Sequence, residues 1–523
     1  MEIIAGVLEL PLWAILLTIA TVLSYIYLTW RHDTWSKQSI RGPKPLPLFG
    51  NFLSLLKHGS FATYDKFILD TYGKISGSFR GRVPILDIAD PEYLRLTMIK
   101  DFSSMPNRND LNVGESMLDN FMTALTDDHW RHVRSSLTPT FTSGKLKQMK
   151  GRIDVCANTF VEHIREQNGE PFDSKMFTGG YTMDVISSTA FGIQIDSQKD
   201  PNHPMLINAN KMMNLNSASG LYQKIKSGLR IAYFLLAPTF LQKFLTKFGI
   251  SILDMEATRY FKDVTGRIFD GRSNETTKQK DFIQLCLNLL VDDPKRGDAD
   301  AQVDKYGQVW TTKGLKREEI VSNAVLFFLA GYETTATTLN FILYELAMNQ
   351  GVQQKAYEEI MENMSSEEAT YEELSKMEYL DWVIQESMRI YPAAPRVERL
   401  VEKDTSIEGI HLPAGCMVSA MIYAIHHDPE IWPEPEEFRP ERFSPENSEG
   451  RHQYAWMPFG IGNRNCIGMR LALLEMKIAL VKILTNFVLE PCDGTPEKPM
   501  KYSQNFRMAP EKPIKIAANC RKG

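Results

Sequence analysis

The chain reads as mainly α with small β-sheets, an α+β fold in which one large helical unit follows a single apolar N-terminal helix. Three observations point there. Amphipathic helical periodicity runs from about Asp127 to Gln350 with only two polar interruptions. Alternating β-rich runs are confined to a short stretch before Asp127 and to the region after Pro395. The 523 residues, 43% hydrophobic and 24% charged, carry no internal repeat, low-complexity tract or linker inside the body, so one domain is simpler than two.

The elements follow in chain order. Between Glu9 and Arg31 there is no charged residue, and this stretch is long enough to cross a bilayer as a helix. A cleaved signal fits less well, because no basic segment precedes the apolar run and Tyr25, Tyr27 and Trp30 stand where small residues would mark cleavage. Positive charge follows the span at Arg31, Lys37, Arg41 and Lys44, which leaves the remainder on the cytosolic side. The division expected is an anchor over 1–40, a proline-rich hinge over 41–51 and a catalytic body over 52–523. A single-pass anchor with a cytosolic body suggests the endoplasmic reticulum membrane.

In the hinge, alternating prolines from Arg41 to Gly50 forbid a helix and favour a stiff extended connector. The runs from Lys74 and from Val83 then read as a small hairpin joined through Arg80, Gly81 and Arg82. Polar loops interrupt the helical region at Gly192–Pro204 and Asp292–Gly314. The second reads as a solvated, mobile insert with no assigned role. Ile231–Phe248 is too apolar for a surface loop and too short for a second span. It fits either a core helix pair or a membrane-dipping lip of a channel for lipophilic substrates.

Composition excludes some functions. A net charge of -5 without a basic block argues against nucleic-acid binding. The six cysteines lie far apart with no CxxC pair, so neither a zinc site nor a disulfide framework is indicated, and a reducing compartment fits.

The sharpest local signal is the run from Phe459 to Gly468, in which glycines on both sides of Cys466 let the backbone approach a flat cofactor closely. Five specified residues at this spacing arise by chance on the order of once in ten thousand chains of this length. Leu315–Asn349 has no proline and one glycine and reads as a long buried helix, interrupted by the polar pair Glu333 and Thr334. Thr334 there either bonds back to the carbonyl of Ala330 or serves chemistry. Glu386 and Arg389 lie three apart on an apolar helix, where an ion pair would be buried.

These motifs resemble the cytochrome P-450 superfamily, and within it the animal microsomal group of drug- and steroid-oxidising enzymes. The marks are the Cys466 loop, Trp130 with Arg134, the run Ala330 to Thr335, Glu386 with Arg389, and Phe438-Arg439-Pro440-Glu441-Arg442-Phe443. The resemblance implies haem b (iron protoporphyrin IX) with Cys466 as its iron ligand and Trp130, Arg134, Arg399, Phe459 and Arg464 around it. It implies that Thr334 delivers protons with Glu333 as relay, and that Glu386, Arg389 and Arg442 form a buried brace.

By the same match the substrate pocket takes Thr123, Ala124, Leu326, Leu329, Ala330, Ala393 and Ala394. A thiolate ligand favours O–O cleavage, so the implied activity is hydroxylation of a lipophilic molecule with O₂. Electrons would come from NADPH through a flavoprotein reductase, with cytochrome b5 as a further partner, docking near Arg131, Lys145 and Lys147. The alternatives are a haem-thiolate isomerase of lipid peroxides and a non-catalytic haem protein. Thr334 speaks against the first, and the lack of a CxxCH attachment against a c-type carrier.

Overall fold

The structure, a computed structural model, describes residues 11–108, 114–213, 239–248, 254–273, 281–503 and 508–521. Helix α1, Leu12–Thr29, has a mean hydropathy of 1.9 and buries none of its residues against the body. Such a helix is stable where lipid surrounds it. Its C-terminal end is tied down: Arg82 lies 4.1 Å from the Tyr27 ring, and Arg31 donates to the carbonyl of Ala414 at 2.9 Å.

Trp35 is 2% exposed and donates its Nε1 to Ser78 O at 3.1 Å. The proline-rich segment lies along the first sheet. Gly77 N donates to Arg41 O at 2.9 Å, and buried Asn51 donates to Pro43 O and Lys44 O while accepting from Phe79 N.

That sheet runs β1 (Ile75–Arg80), β2 (Val83–Ile88), β9 (Met417–Met421), β6 (Arg396–Leu400), with β2 and β9 parallel and the other pairs antiparallel. The expected hairpin through Gly81 is β1–β2. A second sheet joins β10 (Phe487–Pro491), β11 (Lys515–Cys520) and the two-residue β3 (Phe172–Asp173). Two small hairpins complete the set, β4 (Ala301–Val303) with β5 (Val309–Thr311) and β7 (Thr405–Ile407) with β8 (Ile410–Leu412).

The helices that matter to the site are α2 (Asp127–Leu137), α3 (Ser143–Arg165), α4 (Ser174–Ala190), α5 (Arg317–Met348), α6 (Glu378–Ile390) and α7 (Met469–Asn486). The central helix α5 opens on an acidic first turn, where Glu319 accepts from Lys316 N at 2.8 Å, the favourable end of its dipole for negative charge. Beyond it, α5 is apolar nearly all round and runs through the interior. Threonines of α4 reach its carbonyls, Thr178 to Ala336 O and Thr182 to Tyr332 O, both at 3.0 Å, which locks two long helices side by side.

Three hydrophobic clusters form the core: one around α3, α6 and α7, one around α2 and the first half of α5, and one around the first sheet. The main cavity lies where the three meet.

The structure corrects the reading of Asp292–Gly314 as a solvated, mobile insert. Its second half is the β4–β5 hairpin, and Trp310 is buried, stacked 5.1 Å from His129 with the planes 7° apart. Burying an indole stabilises the docked hairpin by about 2 kcal/mol, enough to hold strands of only three residues each. Of Ile231–Phe248, residues 231–238 lie outside the described ones, and Thr239–Thr246 is helical.

Candidate active site

The cavity has a volume of about 730 Å³ and is lined from α2, α5, β6 and the loop before α7. Cys466 stands in its wall with its side chain exposed to the cavity. The loop that presents it is closed by Cys466 N donating to Phe459 O at 2.8 Å and Asn465 N to Gly462 O at 3.0 Å. Gly460 and Gly462 have φ of 75° and 66°, the left-handed region, and a Cβ at Gly462 would lie 3.2 Å from Met98 O. Burial pushes the thiol of Cys466 up. The amides of Gly468 and Met469 at the start of α7, with Arg108 and Arg134, pull the other way toward a thiolate.

Arg108, Arg134 and Arg464 line the cavity with this cysteine, and a fourth arginine, buried Arg399, is near enough to feel Arg108 and Arg134 but does not line it. Arg464 lies 3.7 Å from the Trp130 ring and donates to Pro106 O, Leu125 O and Asn107 Oδ1 at 2.9 to 3.1 Å. Arg134 donates to Asn465 O at 2.9 Å and to its Oδ1 at 2.7 Å. Arg108 donates to Arg464 O at 3.1 Å. Arg399 donates to Glu398 O at 2.9 Å, and its buried Nε has no partner among the described residues. Among the described residues, none of the four forms an ion pair.

Burial and then mutual repulsion, chiefly from Arg108, lower Arg464 to about 8 and Arg399 to about 9. Such a cluster is costly unless an anion joins it. The two carboxylates of a haem supply that anion, and guanidinium forks suit them. The residues present therefore fit haem.

On the opposite wall, Thr334 faces the cavity with its hydroxyl donating to Ala330 O at 2.7 Å. Glu333 does not join it. Successive helical residues point about 100° apart, and Glu333 turns to a second cavity of about 560 Å³. There it pairs with Lys175 at 3.2 Å and accepts from Thr337 at 3.3 Å.

Of the expected pocket positions, Thr123, Leu326, Ala330, Ala393 and Ala394 line the main cavity. Ala124 and Leu329 do not. Both are buried in the core cluster, Leu329 on the wrong face of α5 and Ala124 inside a tight turn closed by its N donating to Phe121 O at 2.7 Å. Phe459 lines the cavity.

Glu386, Arg389 and Arg442 meet away from the cavity. Arg389 grips Glu386 through two bonds of 2.7 and 2.9 Å, Arg442 Nε adds a third at 3.1 Å, and the three residues are 0%, 0% and 6% exposed. The remaining guanidinium hydrogens are spent on backbone carbonyls, among them His426 O, Pro435 O and Glu434 O.

Sequence reasoning missed several groups. Arg108 is a lone loop residue with no local pattern to single it out. Arg80, Arg396 and Glu398 make a polar end to an otherwise apolar cavity, with Arg396 held by Asp65 and Asp87 and Arg80 by Glu398. The alternation of Arg396 and Glu398 on one face of a strand was the available signal. Glu475 of α7 also lines the cavity. Burial, opposed by a hydrogen bond from Thr335, raises its carboxyl to about 8.

Cations without counter-ions facing a cysteine under a helix N-terminus call for a dianionic, metal-bearing guest, which is the donor set of the haem-thiolate class. Comparison with known proteins agrees. The cytochrome P450 family model matches residues 40–518. Lithocholate 6-beta-hydroxylase of Mesocricetus auratus is 39% identical over 98% of this chain and 97% of its own length. Cytochrome P450 3A9 of Rattus norvegicus is 38% identical over 96% and 95%, and cytochrome P450 3A27 of Oncorhynchus mykiss 38% over 98% and 94%.

The chain belongs to the cytochrome P450 family. It is a haem-thiolate monooxygenase that uses haem b and electrons from NADPH delivered by a reductase.

Proposed function

We propose that Cys466 is the thiolate that would bind the haem iron, that Trp130, Arg108, Arg134, Arg399 and Arg464 would hold the haem propionates, and that the substrate is a lipophilic xenobiotic, steroid or fatty-acid-like molecule. The observation that carries this is the set of uncompensated guanidiniums around a cavity-facing cysteine. Bound haem supplies reductive activation of O₂ and insertion of one oxygen atom into a C–H bond.

The protein's own residues do the rest. Phe327, Leu326 and Ala330 give the substrate an apolar wall that excludes water, while small Ala393 and Ala394 leave it room. Arg80, Arg396 and Glu398 offer hydrogen bonds to a polar end, which suits an amphipathic guest. The bile acid named for the hamster relative has that character.

Thr334 holds a proton at its hydroxyl, on the cavity side of α5. Glu333 takes protons from the second cavity, beside Lys175, so the relay crosses the helix within one turn. Helix α1 anchors the enzyme in the endoplasmic reticulum membrane with the body cytosolic. The reductase is a membrane flavoprotein, cytochrome b5 is a second donor, and both dock near Lys145, Lys147 and Arg131. Arg131 and Lys147 now pair with Asp128 and Glu372 on the surface, contacts that a partner's carboxylates can replace.

The test is reconstitution in vesicles with NADPH, flavoprotein reductase and a panel of neutral steroids and bile acids. Hydroxylated product that requires the reductase and is lost in Cys466→Ala supports the proposal. Rearrangement of a lipid hydroperoxide without reductase, and no hydroxylation with it, would replace the proposal with the isomerase.

A further inference from the structure

The docked hairpin contacts the arginine cluster by two routes. The first passes through His129, the third residue of α2 and the neighbour of Trp130. Its ring is fully buried, with Nε2 2.7 Å from Glu319 Oε1 and Nδ1 3.3 Å from Asp304 Oδ2. Asp304 is the turn residue of the hairpin, where its other oxygen accepts from Tyr306 N and Gln308 N at 2.9 Å. Glu319 belongs to the first turn of α5. One imidazole thus joins α2 to two elements, the hairpin and the start of α5, that lie 175 and 190 residues further along the chain.

The second route starts at the hairpin tip. Lys305 donates to Glu402 at 2.6 Å, Glu402 accepts from Asn107 at 2.7 Å, and Asn107 Oδ1 accepts from Arg464 at 3.1 Å. Both routes end on groups that stand against the cavity: Trp130, over which Arg464 stacks, and Arg464 itself.

We propose that His129 is a positioning residue that, as an imidazolium bridging Asp304 and Glu319, latches the 301–311 hairpin over α2 and so sets the wall of guanidiniums that receives the haem carboxylates. This rests on the haem-site reading above and adds a control to it. A bridge to two carboxylates needs both ring nitrogens protonated, since neutral imidazole has a single donor. Burial works against the charge, but the bonds to Asp304 and Glu319 outweigh it and hold His129 above its ordinary value.

The other groups facing the bridge do not replace it. Lys316 lies 3.8 Å from Glu319 Oε1 and donates to Val309 O, and His132, across Trp310, bonds Gly314 O. A group whose folded pKa is raised in this way stabilises at low pH and loses that contribution as pH rises through the folded value. The latch is therefore closed in neutral and mildly acidic solution, where Asp304 is ionised, and loosens in alkali.

The test uses the full-length holoenzyme in detergent between about pH 6 and about pH 9, spanning the histidine range and its upward shift. Two quantities are followed: the amide exchange protection of residues 299–312, taken relative to the intrinsic base-catalysed rate at each pH, and the rate of haem transfer to an apo-globin acceptor. In the wild type protection should fall and haem transfer should accelerate together as pH rises, each on the order of tenfold, the scale of one charged hydrogen bond. His129→Gln should show the low protection and the fast haem loss at every pH. Asp304→Asn, a milder change, should move the transition to lower pH, and it carries the test alone if His129→Gln does not fold.

The same pH profile in wild type and variants, or a hairpin that opens with no change in haem loss, would overturn the latch. The carbon monoxide spectrum of the same samples reads thiolate ligation separately. A normal spectrum with pH-independent protection of the hairpin thus refutes the latch alone, whereas folded protein that takes up no haem refutes the site.

Discussion

Two clusters of buried and half-buried arginine in this protein differ in their counter-charges. Around Glu386, every guanidinium hydrogen of Arg389 and Arg442 that matters meets a carboxylate or a backbone carbonyl, and the group is closed. Around Cys466, Arg108, Arg134, Arg399 and Arg464 repel one another and, among the described residues, bond only neutral oxygens. The first is complete in the protein alone. The second is complete only with an anionic guest, and this separates scaffold from binding site more clearly than burial does, since Arg399 and Arg464 are as buried as Arg389 and Arg442.

The largest expected effect comes from breaking the closed cluster. Glu386→Ala leaves two buried guanidiniums without their carboxylate, and such a break costs about 3–5 kcal/mol. Thermal unfolding of the purified variant should show a much lower Tm, or no folded protein. The open cluster should respond in the reverse sense. Arg399→Gln removes an uncompensated charge, so the apoprotein should be as stable as wild type or more so, while haem should dissociate roughly tenfold faster for want of one charged hydrogen bond. Equal destabilisation of the apoprotein by both substitutions would erase the distinction.

Glu475 gives a third, intermediate case, a lone buried carboxyl beside the cavity. Its folded value of about 8 lies above that of an unfolded glutamate, so the native state binds the extra proton. Stability should then fall as pH rises between about 4.5 and about 8, and Glu475→Gln should flatten that slope. Denaturant midpoints measured across the window will show whether it does. The smallest stability effect is expected at Thr334→Val. It removes one hydroxyl bonded to its own helix, within about 0.5 kcal/mol of neutral, yet less of the NADPH consumed should appear as hydroxylated product.

What was legible in the sequence was local. The loop around Cys466, the helix after it, the Glu386–Arg389 spacing and the β1–β2 hairpin each rest on residues within one turn or one strand pair, where backbone geometry dictates the pattern. What was not legible depended on distant partners. The β4–β5 hairpin has three-residue strands of mixed polarity, and it is held by Trp310 on His129, nearly two hundred positions away in the chain. Arg108 gains its meaning only from Arg464 and Arg134.

The phase of α5 was hidden for another reason. A helix that is apolar on nearly all sides gives no moment from which to tell the cavity face from the core face. The expectations that Leu329 lines the pocket and that Glu333 works beside Thr334 came from the resemblance, and the helix pattern offered nothing against which to check them; both residues point elsewhere.

The central claim is that Cys466 and the open arginine cluster together receive haem through a thiolate. The most direct measurement is the carbon monoxide difference spectrum of the dithionite-reduced protein, with Cys466→Ala beside it. The expected result is a strongly red-shifted Soret band in the wild type that is absent from the variant. A histidine-type band in the wild type, or the same red-shifted band in Cys466→Ala, would contradict it.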